Sequence, residues 1–168
     1  VQAHLKHPNI VPVNDFLNQD DQLAIVMELI EGPSLEEVIE AEDTRTWSLE
    51  KMQGVFMPVI EALAYAHGRG IVHRDLKPGN IMLEKLGDRG FFAKVIDFGI
   101  LKHFGEGEKI WDGVSMVLTG TATVVGTPHY MAPEQIKQLP LGPAVDQYAL
   151  GIIAYEMLGG RKPFNGVS

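Results

Sequence analysis

Between residues 48 and 69, Met52, Phe56, Val59, Ile60, Leu63 and Ala66 recur at steps of three and four, so one stripe of a long helix has to be buried against a partner. This helix constrains the fold more than any other segment. Pro58 inside it lacks a donor and marks a place for a kink. A second long helix is expected over 144–158, where Tyr148, Ile152, Tyr155 and Leu158 keep helical spacing and Gly159-Gly160 supplies the stop. With 168 residues, 45% of them apolar and 21% charged, the chain suits one globular domain or a piece of one.

The remaining segments read as short strands and loops. His7-Pro8-Asn9 is a loop, because Pro8 biases His7 away from helix. Residues 10–16 and 22–29 read as two antiparallel strands joined by a turn at Asn18-Gln19-Asp20-Asp21. Gly32-Pro33 ends the second strand, Ser34 can cap a short helix, and Glu36 and Glu37 fall in its first turn, where the helix dipole favours acids. Three β-like pieces follow the long helix near 71–73, 81–83 and 93–96, with Gly87 to Gly90 turning between the last two. Residues 99–126 show no clean period, and so long a loop is usually functional or mobile. The expected class is α+β, without repeats or low-complexity tracts.

Charge and composition exclude several functions. Fourteen basic against 22 acidic side chains give a formal charge of −8, the wrong sign for gripping nucleic-acid phosphates. The absence of cysteine removes disulfides, Cys-based zinc sites and thiol catalysis together. No apolar run reaches the roughly 18 to 20 residues of a membrane span. Val1 stands where a start Met would, and the chain stops just past a turn at Pro163-Phe164-Asn165-Gly166, so both ends read as cut.

The chemistry concentrates in His73-Arg74-Asp75-Leu76-Lys77-Pro78-Gly79-Asn80. Asp75, Lys77 and Asn80 put an acid, a cation and an amide on one loop. A hydroxyl attacking phosphorus needs an acceptor to orient it, a cation for the transferring oxygens, and an oxygen ligand for a metal. Asp97-Phe98-Gly99 adds a second hard oxygen ligand at a strand end, with Gly99 freeing the backbone to turn, and Ala132-Pro133-Glu134 comes later.

These motifs, in this order, resemble the middle of a eukaryotic-type Ser/Thr protein kinase, in wording close to its bacterial members. The resemblance spans nearly the whole chain, but only part of the family's domain. It implies a kinase-like α+β fold, with a partial small lobe of two strands and a hinge (1–31) and the first part of a mainly helical large lobe (32–168), ending after its central helix. It also implies ATP and Mg²⁺ as cofactors and protein Ser or Thr hydroxyls as substrates. Asp75 matches the catalytic acid/base, Lys77 the contact to the transferred phosphate, and Asn80 and Asp97 the Mg²⁺ ligands. Met27 matches the gatekeeper, Glu28 and Ile30 the hinge residues whose backbone meets adenine, and Met82 the apolar floor, although core filling accounts equally for both methionines. His73 and Phe98 match members of a stacked apolar spine, and Asp146 the anchor of the catalytic loop. Lys77, and Thr127 of Gly126-Thr127-Pro128 as a substrate-positioning residue, fit the Ser/Thr branch. Sugar and antibiotic phosphotransferases share part of the loop but normally lack the Ala-Pro-Glu segment and the Arg before the acid.

Arg74 resembles the Arg that pairs with a phosphate added to the activation segment. Thr119, Thr121 and Thr123 are the expected acceptors, with another copy of the kinase as a partner in trans. Glu134 matches an acid whose Arg partner lies beyond the chain. Gly79 takes the place of a Glu found in kinases directed to basic substrates; Glu156 matches a second such position but reads as an exposed helix carboxylate. A metal shared by His4 and His7 is disfavoured, since no carboxylate or Cys flanks them. Glu36, Glu37, Glu40, Glu42 and Asp43 read as a solvated face.

The family's Gly-rich loop and strand Lys lie upstream of its H-P-N turn, which here begins at His7, so they are expected to be missing from these 168 residues. The two first strands would then keep unpaired edges and an uncovered apolar face, leaving the segment alone poorly stable and catalytically weak or dead. The alternative is a pseudokinase or scaffold that uses the fold for binding, which intact Asp75, Asn80 and Asp97 disfavour. The expected location is the cytoplasm, including the cytosolic part of a membrane-anchored parent, with no membrane segment in the chain itself.

Overall fold

In the computed structural model, which describes residues 5–19, 22–41, 47–85, 91–98 and 128–164, a turn at His7-Pro8-Asn9 is closed by the Ile10 amide donating to the His7 carbonyl at 3.1 Å. Strand β1 (Val13–Gln19) pairs antiparallel with β2 (Gln22–Met27), with a register shift between Val13 and Asp15. β1 begins later than the expected residue 10. Pro12 cannot donate to a ladder, and the residues before it pair elsewhere. β2 likewise stops at Met27, short of 29.

Ser34 and Glu37 form a capping box: Ser34 N–H and Oγ–H both donate to Glu37 Oε2, at 2.7 and 3.0 Å, and Glu37 N–H donates to Ser34 Oγ at 3.2 Å. These bonds start α1 (Leu35–Ala41), and the Ser34 bonds hold the Glu37 carboxyl below its ordinary pKa. Glu36, Glu37 and Glu40 are exposed, as the solvated-face reading expects; Glu42 and Asp43 lie outside the described residues.

Ser48 caps α2 (Leu49–His67), which runs through Pro58 without a break. Its buried stripe is Val55, Phe56, Val59, Ala62, Leu63 and Ala66, whereas Ile60 is 40% exposed and drops out of the expected set. Residues 71–73 form no strand with any described residue, correcting the β-like reading there. A single 3₁₀ turn (Pro78–Asn80) leads into β3 (Ile81–Lys85), which pairs antiparallel with β4 (Phe91–Val95). Alternation buries Ile81, Leu83, Ala93 and Val95 completely on one face. A 3₁₀ turn (Pro128–Tyr130), the short α3 (Pro133–Ile136) and α4 (Ala144–Gly159) follow, and Gly160 at φ 63° ends α4 as the expected stop. On α4 the buried face is Val145, Asp146, Ala149, Ile152, Ile153, Glu156 and Met157. Tyr155 and Leu158 lie exposed, against expectation. Eleven of the 16 residues of α4 are apolar and two of the buried ones are the charged Asp146 and Glu156, so spacing could not single out the inner face.

One core joins α2, α4 and the β3–β4 hairpin, with Trp47 N–H donating to the Met157 carbonyl at 3.0 Å. The hairpin is tied back to the start of the chain. Ile10 bridges Val95, Val95 N–H donates to the Asn9 carbonyl at 2.8 Å, and the buried Asn9 amide donates to the Ala93 carbonyl at 2.8 Å. At Gly32 the backbone runs so close to β3 that a Cβ would stand 2.0 Å from the Leu83 carbonyl oxygen, so only glycine fits. The β1–β2 sheet has two strands among the described residues and leaves Phe16, Leu17 and Val26 exposed, as expected. No described helix is long and apolar enough to cross a membrane.

Candidate active site

The loop between α2 and β3 is shaped by one buried carboxylate. Asp146, fully buried on α4, accepts from the backbone amides of His73 and Arg74, both at 2.8 Å, and lies 2.7 Å from His67 Nε2 at the end of α2. Arg74 adopts φ 70°, which a non-glycine residue holds only when its surroundings fix it. Asp146 fixes its amide, and Gln135 of α3 donates to its carbonyl at 2.7 Å.

His73 faces the interior and bonds at both ring nitrogens. Nε2 lies 2.8 Å from the Ile96 carbonyl, which can only accept, and Nδ1 lies 3.3 Å from the Asp75 amide, which can only donate. The ring is therefore neutral with its proton on Nε2. Burial pushes its pKa down, outweighing the pull of Asp146 and the neighbouring acids. His73 meets Phe98, itself fully buried, edge to face at 4.8 Å. It ties the loop to the end of β4 rather than serving as a base.

Past the clamp, three polar side chains converge. Lys77 Nζ lies 3.0 Å from Asp75 Oδ2. The Asn80 Nδ2 group donates to the Asp75 carbonyl at 2.7 Å and to Asp75 Oδ2 at 3.3 Å. Both partners are acceptors, so the Asn80 amide is oriented and its Oδ1 is left as a ligand. The Asn80 carbonyl in turn accepts from the Ile96 amide at 3.0 Å, linking the loop to the residue before Asp97.

Asp97 adopts φ 63°. Its carboxyl titrates above the ordinary aspartate range, chiefly through burial and also through the Asp75 charge, with His73 and Lys77 acting in opposition. Two acids within electrostatic reach, one partly desolvated, form a site that a cation would relieve. Gly99 lies outside the described residues, as do Thr119, Thr121, Thr123 and Thr127.

The hinge positions lie at the end of β2. Met27 is half-buried, Glu28 exposed and Ile30 buried. Among the described residues no backbone hydrogen bond takes up the Glu28 carbonyl or the Ile30 amide. Met82 sits on the half-exposed face of β3. Glu156, expected at the surface, is instead buried and accepts from the Tyr130 hydroxyl at 2.6 Å. Burial and that bond raise the Tyr130 pKa strongly, so the phenol stays protonated and donates.

Sequence reasoning missed Asn9, His67, Lys94 and Gln135 as site-shaping residues. Gln135 carried a signal: it is the third residue of a helix that opens with Pro, the capping-box position, and its Oε1 accepts from Ala132 N–H at 3.0 Å. The other three act through tertiary contacts that no local pattern announces. His4 lies outside the described residues, among which no cluster of three metal-ligating side chains occurs.

An acid, a cation and an amide lie on one clamped loop, with a second acid, Asp97, within electrostatic reach just past a strand end. A profile of the protein kinase domain matches residues 1–168, and the chain belongs to that family. It is 39% identical to the serine/threonine-protein kinase pkn3 of Myxococcus xanthus and 38% identical to PrkC of Bacillus subtilis, in each case over 99% of this chain. The chain spans 29% and 23% of the length of those relatives. Among solved structures, the PknI kinase domain of Mycobacterium tuberculosis, crystallised as a double mutant, superposes with a TM-score of 0.74 at 26% identity, covering 98% of this chain and 56% of that one. The fold is thus a partial kinase fold, two small antiparallel sheets with helices.

Proposed function

We propose that the protein carrying this chain is a Ser/Thr protein kinase that transfers the γ-phosphoryl group of ATP to protein Ser or Thr hydroxyls, with Mg²⁺ as cofactor. The observation that carries this reading is the clamped loop. Asp75, Lys77 and Asn80 are bonded to one another, and the loop that bears them is held at Asp146 and Ile96. In this reading Asp75 accepts the substrate hydroxyl proton and Lys77 neutralises the transferring phosphate. Asn80 Oδ1 and the Asp97 carboxylate would hold Mg²⁺, which would screen the phosphate charge. Adenine would lie against Met82, past Met27, with its edge on the Glu28 carbonyl and the Ile30 amide.

The same reading assigns 1–31 to the end of the small lobe and hinge and 32–168 to the large lobe. Arg74 would pair with a phosphate on Thr119, Thr121 or Thr123 added in trans by a second copy, and Thr127 would help seat the substrate. The cytoplasm, where ATP is supplied, is the proposed location, whether for a free kinase or for the cytosolic part of an anchored one.

The test is Asp75→Asn in the complete protein. Turnover is expected to fall by about 10²–10⁴-fold with Mg·ATP affinity changed by less than about threefold. Retained phosphoryl transfer to a generic protein substrate would remove Asp75 from the mechanism. Absence of turnover and of nucleotide binding in the wild type would favour a scaffold instead.

A further inference from the structure

The β3–β4 hairpin has an inner face on which Ile81, Leu83, Ala93 and Val95 are completely buried, and an outer face made of Met82, Glu84, Phe92 and Lys94. Lys94 stands directly opposite Met82 across the ladder. Its ammonium lies 3.0 Å from Glu28 Oε1 and 3.2 Å from Glu84 Oε2. The Lys94 side chain is only 12% exposed, against 42% for Glu28 and 31% for Glu84. A cation this desolvated is tolerable because two carboxylates meet it. Burial by itself disfavours the charged lysine, but the bonds and charges of Glu28 and Glu84 more than offset that, and the pKa ends above its ordinary value.

The position of this cluster matters more than its strength. Glu28 follows directly on β2, and its own backbone tie is a long one, its amide donating to the Pro12 carbonyl at 3.4 Å. Lys94 is 66 residues away in sequence and belongs to the sheet face that carries the floor position. One ammonium therefore spans the two surfaces between which adenine is proposed to lie. Removing it would loosen the segment and also leave two carboxylates aimed at the same point, which repel.

We propose that Lys94 is a positioning residue for the nucleotide: its bridge between Glu28 and Glu84 sets the distance between the hinge backbone and the Met82 floor. This rests on the assignment of Glu28, Ile30 and Met82 to the adenine site. A flexible hinge must be ordered each time nucleotide binds, and a pre-set one is not. The bridge should therefore act on nucleotide affinity and leave the phosphoryl-transfer loop alone.

The experiment uses the complete protein, with Mg·ADP binding by calorimetry and steady-state kinetics in ATP. Lys94→Met is expected to raise the ADP Kd and the ATP KM together by roughly three- to tenfold, with kcat falling less than KM rises. Lys94→Arg, which can still bridge two carboxylates, should stay within about twofold of the wild type. Glu28→Gln keeps the lysine and the shape but halves the pairing, and should reproduce part of the rise even if Lys94→Met fails to fold. The inference is overturned if Glu28→Gln and a folded Lys94→Met both bind ADP as the wild type does, or if kcat falls with KM unchanged. A wild type that binds no Mg·ADP sinks the kinase reading itself; a wild type that binds while the variants do not differ sinks the role of Lys94 alone.

Discussion

In the block formed by α2, α4 and the β3–β4 hairpin, inner-face side chains such as Val59, Ile81, Leu83, Val95 and Ile153 are completely buried. The β1–β2 hairpin is held otherwise: Phe16 and Leu17 are 41% and 51% exposed, and among the described residues its ties to that block include hydrogen bonds near residues 9–12, the Glu28–Lys94 pair and the bonds of Glu31 and Pro33 to β3. The residues proposed to move the phosphoryl group sit on the first region, whereas three of the four proposed adenine contacts, Met27, Glu28 and Ile30, sit on β2 or on the segment just after it. On that proposal the transfer geometry is built into the core, and the grip on the base depends on a small number of discrete links. Substitutions in the two regions should therefore fail in different ways.

The largest effect is expected at the clamp. Asp146→Ala leaves the His73 and Arg74 amides without their acceptor in a dry interior and strips His67 of its partner. The loss should be about 3–5 kcal/mol of unfolding free energy, read by urea denaturation of the complete protein. A loss under about 1 kcal/mol would mean that the loop is held by something other than α4 and would erase the contrast.

Gly32→Ala tests the seam between the regions. A Cβ there meets a backbone carbonyl at 2.0 Å, and a ladder strand cannot retreat as a flexible side chain can. The chain must instead lift away from β3, costing about 1–3 kcal/mol and carrying the neighbouring hinge with it. A melt together with a nucleotide titration checks both. Unchanged ADP affinity would show that the adenine contacts do not depend on how the segment leaves β2.

The same contrast explains what could be read in advance. The loop of the candidate site was legible as a cluster because Asp75, Lys77 and Asn80 lie within six residues of one another, and the structure brings their side chains together. The long helix was legible as an element, but its face was not fully: Ile60 fits a three-four spacing, yet Val55 and Ala62 hold the stripe. On α4 the error was larger, because the buried face includes the charged Asp146 and Glu156 while the apolar Tyr155 and Leu158 are exposed. The Glu156 carboxylate looked like surface because nothing in its neighbourhood announces Tyr130, 26 residues earlier. Lys94 and Asn9 escaped for the same reason: each finds its partner across the fold rather than along the chain.

A smaller effect should appear in acid. His73 is held neutral, with a folded-state pKa below its ordinary value of 6.5. Below that value the unfolded chain binds the proton more readily than the folded one. The stabilisation from His73 is therefore complete above pH 6.5 and is lost as the pH falls through the depressed folded pKa. His73→Phe keeps the contact with Phe98 but removes the titration, at the cost of the bonds to Ile96 and Asp75. Its melting temperature should start lower at pH 8 and decline less between pH 7 and pH 5 than that of the wild type. Parallel curves would mean that other groups carry the acid limb and that the core around this ring tolerates charge.

The smallest effect is expected on the open hairpin, where it is also the most discriminating. Phe16 and Leu17 keep 41% and 51% of their surface exposed, so Phe16→Thr and Leu17→Thr in the 168-residue chain remove little packing while keeping strand propensity. Each should change stability by no more than about 0.5 kcal/mol. The same substitutions in the complete protein separate two origins of the exposure. If sequence outside this chain covers the hairpin, each loss should exceed about 1 kcal/mol, because a buried aromatic or leucine is then being truncated. A small effect in both settings would make both exposed positions native surface, and the proposed grip on adenine would then rest on the Gly32 seam and the Lys94 bridge.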